Sequence, residues 1–135
     1  MKLINTLTVI TWIAIMLAAC GGTGGDPLNN TSWELAAIGE QSPLAGTTIT
    51  LSFEDGLAGG TSGCNSYGGA YQVNGDKIEF QEFESTLMAC LDTGVMEQET
   101  AYLGTLGEAQ RFEMSEGQLQ IYGSGGEALT FIPIE

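Results

Sequence analysis

The side chains best placed for chemistry lie in a glycine-rich run, TSGCNSYGGAY (Thr61–Tyr71), which sets Cys64 and Asn65 among glycines and tyrosines. A cysteine in such a loop suggests a nucleophile, a metal ligand or half of a disulfide. Nucleophilic catalysis needs a thiolate, and the chain contains no histidine to act as its base. Lys77 and Arg111 would lower a thiol pKa only from beside it. Cys64 and Cys90 without histidine make a poor zinc shell. The glycines lack the Lys and Ser/Thr that follow them in a phosphate-binding loop, and a formal net charge of −14 opposes phosphate. Paired carboxylates run glycosidases and bind calcium, and Glu79, Glu82 and Glu84 lie close together. Glu79, however, sits between Ile78 and Phe80 and points outward if they point in. The segment NGD (Asn74–Asp76) reads as a turn and lacks the spaced acids of a calcium loop. The sequence thus predicts no catalytic residue, no metal site and no cofactor, with a carboxylate-based hydrolase as the rival reading.

The third cysteine has a different setting. After Lys2 comes the nearly uncharged run LINTLTVITWIAIML, then Ala18, Ala19 and Cys20, the layout of an export signal. The four residues LAAC look like a bacterial lipobox, which predicts cleavage after residue 19 and a diacylglyceryl thioether on Cys20. That consumes one of three cysteines and leaves one intramolecular pair, Cys64 with Cys90, in a compartment where disulfides persist. The mature chain then carries 17 acids against Lys77 and Arg111. Such a surface excludes nucleic acid as a partner and leaves the lipid on Cys20 to hold the membrane.

Three segments follow: a signal peptide (1–19), a Gly-rich tether (20–31) and one domain (32–135). In the domain, Trp33, Leu35 and Ala37 alternate along SWELAAI, and Ile49, Leu51 and Phe53 along TITLSFE. EDGL reads as a hairpin turn, and the glycines of LAGGTSGCNSYGG as bends in a coiled strand. AYQV, NG and DKIEF form a second hairpin. Phe83 falls on the opposite parity from Ile78 and Phe80, so a bulge near Gln81 or Glu82 is needed to bring it inside. From Gly94 to Leu106 the period becomes helical, with Val95, Met96, Tyr102, Leu103 and Leu106 on one side. RFEM, QLQIY and ALTFI complete an α+β, mostly β fold: a curled antiparallel sheet or partly open barrel packed on one helix.

On SWEL (Ser32–Leu35), LSF (Leu51–Phe53), GCNSYGGAY (Gly63–Tyr71), STLMAC (Ser85–Cys90), the helix and QLQIYGSGGEALTF, the chain resembles the META domain family of HslJ-like lipoproteins. The resemblance covers essentially all of the mature domain. It implies antiparallel strands with one helix, the pairing of Cys64 with Cys90, an envelope or stress-related setting, and no catalytic residues. It also implies a shape similar to pilotin-type lipoproteins, which shelter an apolar ligand or partner segment.

Together these readings predict a lipid-anchored, non-enzymatic protein on the periplasmic or cell-surface face of the envelope. Its expected partners are the membrane, through Cys20, and an envelope protein segment or apolar ligand. The expected ligand groove lies between sheet and helix at Met96, Tyr102 and Leu103. A third reading gives the acidic coat itself a solubility role.

Overall fold

The computed structural model describes residues 24–135; the expected signal peptide and the lipidation expected at Cys20 fall outside them. Eight antiparallel strands close into a barrel in chain order, β8 returning to β1. They are β1 (Thr31–Ile38), β2 (Thr50–Glu54), β3 (Leu57–Thr61), β4 (Ser66–Asn74), β5 (Lys77–Ser85), β6 (Ala109–Ser115), β7 (Gln118–Gly123) and β8 (Ala128–Pro133). The helix α1 (Val95–Gly107) is inserted between β5 and β6. The expected mostly β architecture is present, and the sheet curls fully round.

Because the strands run up and down in order, their connections sort to two ends. The β1–β2, β3–β4 and β7–β8 loops and α1 share one end, called here the helix end. The tight β2–β3, β4–β5 and β6–β7 turns share the other with the chain entry and exit, called here the terminal end.

Alternation fills the interior. Trp33, Leu35, Leu51, Phe53, Tyr67, Tyr71, Ile78, Phe80, Leu119, Ile121, Leu129 and Phe131 are all buried in one core. Two irregularities adjust the pattern. In β1 the register against β8 shifts between Leu35 and Ala37, which turns Ile38 onto the core. In β5 the register against β4 shifts so that Gly68 faces Glu84 and Ala70 faces Gln81, with Glu82 at φ +52°. This is the bulge that Phe83 required, and its ring now stacks on Phe80 at 5.0 Å. Where β3 coils against β2, a Cβ on Gly60 would lie 2.1 Å from the Thr50 carbonyl oxygen, so only glycine permits the approach.

One expected boundary moves. Residues 26–31, read from composition as tether, are built into the terminal end: Leu28 is fully buried, and the Asn30 amide donates to the Phe53 carbonyl at 2.8 Å. Asp26 accepts from its own turn at the Leu28 amide and from the Tyr71 hydroxyl. A lone leucine among glycine, asparagine and proline shows no period, which hides its burial.

Candidate functional site

The helix lies across its end of the barrel on a narrow stripe, Val95, Glu99, Tyr102 and Leu106, all buried. Spacings of four, three and four residues put these side chains on one face. An acid in the middle of that face is unusual, and the β3–β4 loop explains it. The Glu99 Oε2 accepts from Ser62 Oγ at 2.6 Å, from the Asn65 amide at 2.8 Å and from the Cys64 amide at 3.3 Å. Its Oε1 accepts from Asn65 Nδ2 at 2.6 Å. Burial pushes the Glu99 carboxyl up, but the donors from Ser62, Asn65 and Cys64 outweigh it and hold the carboxyl below its ordinary value. A carboxylate so saturated by the chain's own donors is a clamp, not a proton-transfer group.

Asn65 extends the clamp to the segment that follows β5. Its Oδ1 accepts from the Met88 amide at 2.7 Å and from Thr86 Oγ1 at 2.8 Å, while Nδ2 also donates to the Met88 carbonyl at 3.1 Å. Beside it, the disulfide joins Cys64 to Cys90, Cα atoms 5.9 Å apart. The motif residues Cys64, Asn65 and Cys90 therefore do a structural job, tying the β3–β4 loop to the entry of α1. The sequence reading assigned the cysteines but missed Glu99, Ser62 and Asn65. The available signal was the acid on the helix's apolar stripe, seven residues before Leu106.

A second polar chain runs through the core. The Tyr67 hydroxyl donates to the Thr50 carbonyl at 2.8 Å, so the 2.5 Å contact between Tyr67 and Tyr102 hydroxyls must be donated by Tyr102. Burial raises both phenols well above their ordinary pKa, so both stay protonated at physiological pH.

The three residues expected to line a ligand groove are not brought together. Tyr102 is fully buried and bonded to Tyr67. Leu103 is half-buried against the core. Met96 is half-buried, and its sulfur accepts from the Cys90 amide at 3.4 Å. A cleft does flank the helix, on the side of the β1–β2 loop. It measures about 660 Å³ and is walled by Ile38, Leu44 and Ala101, with Glu40, Glu97 and Glu127 also lining it. Gln98 fixes the loop beside it, accepting from the Leu44 amide at 2.6 Å and donating to Thr47 Oγ1 at 3.0 Å. Next to the disulfide, Leu87, Met88 and Leu91 stand out in solvent, the two leucines 95% and 97% exposed. Glu79, Glu82 and Glu84 are all exposed on β5, the solvated face expected of them.

The META domain family model matches residues 26–135. Among solved structures, the chain is similar to an NMR structure of a protein from Burkholderia xenovorans, 32% identical with a TM-score of 0.67 over 79% of this chain and 83% of that one. A second NMR structure is 18% identical, with a TM-score of 0.65 over 78% and 90% of the two chains. A crystal structure of a DUF4847 family protein from Bacteroides vulgatus is 12% identical, with a TM-score of 0.59 over 78% and 94%. The last two speak to the fold alone. No curated protein matches the chain.

Proposed function

The chain belongs to the META domain family, and we propose that it works as a non-enzymatic, lipid-anchored binding domain of the cell envelope that holds a protein segment at its helix end. One observation carries this reading: strand order puts the entry of the chain at the terminal end, and the cleft beside α1 and the exposed leucines at the other. A lipid on Cys20, six residues before Asp26, would hold the terminal end toward the membrane and turn the helix end toward partners. A fixed rim supports the same reading, because Gln98 ties the β1–β2 loop to the helix at Leu44 and Thr47 beside the cleft and so lowers the ordering cost of binding.

Two measurements test it. Mass spectrometry of protein from its own envelope should find an acylated N-terminal cysteine at position 20, and Cys20→Ser should leave an unprocessed precursor. An unmodified chain that begins elsewhere removes the anchor. Ala101→Trp, which fills the cleft from an exposed helix position, should reduce partner recovery from membranes without changing the melting temperature. Unchanged recovery removes the cleft from the reading.

A further inference from the structure

The barrel is closed, but one of its seams is nearly unstitched. β4 pairs with β5 from Lys77 through Ser85, whereas β6 pairs with β5 only at Lys77 opposite Arg111. β6 begins at Ala109, two residues before Arg111 and with an irregularity between them, so the later part of β5 has no paired strand on that side.

The main-chain groups left over can be identified from both ends of the strand. The Phe112 amide donates to the Asp76 carbonyl, so Asp76 faces β6, and by alternation so do Ile78 and Phe80. The Thr86 amide donates to the Ser66 carbonyl, so Thr86 and Glu84 face β4, and Ser85 and Phe83 face the gap. The bulge at Gln81–Phe83 reconciles the two counts. Among the described residues, no turn, loop or helix backbone group bonds Phe80, Phe83 or Ser85 on that side. A row of such groups pairs with water or with another extended chain.

We propose that this edge of β5, from Phe80 to Ser85, receives an extended, basic segment of a partner protein as an added strand. The inference rests on the binding reading above and names the chemistry of the occupant. An added strand hydrogen-bonds to Phe80, Phe83 and Ser85, and its outward side chains lie beside Glu82 and Glu84, both exposed. Lysine or arginine there forms cross-strand pairs. The inward side chains meet the half-buried Phe83, which calls for apolar residues. A second copy of this chain is disfavoured, because pairing two β5 edges would set acid against acid. The exposed Leu87, Met88 and Leu91, directly after the edge, extend the surface for an apolar end of the segment.

Amide hydrogen exchange on the full-length protein tests the edge with two probes, the peptides (Lys-Val)4 and (Glu-Val)4. In the free protein the amides of Phe80, Phe83 and Ser85 should exchange at least about 100-fold faster than those of Gln81 and Glu84, which face β4. (Lys-Val)4 should slow those three at least tenfold, and (Glu-Val)4 should not. The Glu82→Lys/Glu84→Lys variant, at exposed positions, should invert the preference by about tenfold while keeping its circular dichroism spectrum. Slow exchange of the three amides in the free protein overturns the proposal, as does equal protection by both peptides. Protection confined to the cleft at Leu44 and Ala101 overturns the edge but leaves the broader binding role standing. Loss of the Cys20 acyl group removes the anchor without touching the edge.

Discussion

The two ends of the barrel are closed by different means. At the terminal end the connections are short: Asp55–Gly56 and Glu116–Gly117 take positive φ at both residues, the geometry that lets two antiparallel strands meet through a two-residue turn. Only the 26–31 segment is added, with Leu28 pressed into the mouth of the barrel. At the helix end two connections, 62–65 and 124–127, are four-residue turns with local hydrogen bonds, but the 39–49 and 86–94 connections are long. This end is held by links between residues distant in sequence, the disulfide across 26 positions and the Glu99 carboxylate reaching back 34 positions to Asn65. The difference teaches where cross-links belong: tight turns specify themselves, whereas long loops around a site need chemistry imported from elsewhere in the chain.

The largest break in that contrast should come from the disulfide. Replacing Cys64 and Cys90 by serine releases a loop of 26 residues, worth about 3 kcal/mol in the chain-entropy model and on the order of 10 °C in melting temperature. Thermal unfolding with and without reductant checks it; a wild-type protein indifferent to reductant would show that the bridge does not hold this end. Leu28→Ala, at the opposite end, should cost about 2.5 kcal/mol, toward the low side for a buried leucine because the mouth of the barrel can relax around it. Urea midpoints would report it.

Glu99→Gln should cost about 2 kcal/mol, since an amide in place of one oxygen sets a donor against amide donors in a site only 5% exposed. It should also change the response to acid. The folded-state pKa of Glu99 is lowered, so its contribution is present at and above the ordinary 4.5 and is lost as pH falls through the lower folded value. Stability measured from pH 6 to pH 2 should therefore fall less steeply in the variant than in the wild type. The smallest effect belongs to a turn: Gly117→Ala, at φ +77°, should cost about 1 kcal/mol, a local strain with no consequence at the helix end.

These differences also decide what could be read from the sequence. Strands whose apolar residues alternate, such as Ile49, Leu51 and Phe53, were legible, as was the bulge that Phe83 demanded. The helix was legible as a helix, but its stripe was misjudged by including Met96 and Leu103 and omitting Glu99. An acid is scored as a solvent-facing residue unless its donors are known, and those donors arrive from Ser62, Cys64 and Asn65. The cleft beside the helix is hidden in the sequence for a related reason: Leu44 and Glu127 meet the helix only through loop paths that carry no periodicity. Tether and barrel could not be divided at Ser32, because the burial of Leu28 depends on the barrel mouth it fills.

The central claim is that the helix end is the binding end. A photo-crosslinking amino acid placed at Ala101 or Leu87, and in parallel at Glu116 or Asp55, gives the most direct test in cells that make the full-length chain. The account predicts a discrete protein adduct from the first two positions, lost from both on charge reversal at Glu82 and Glu84 and from Leu87 on Ala101→Trp, and none from the two terminal-end positions. Protein adducts from Glu116 and Asp55 with none from Ala101 and Leu87 would contradict it.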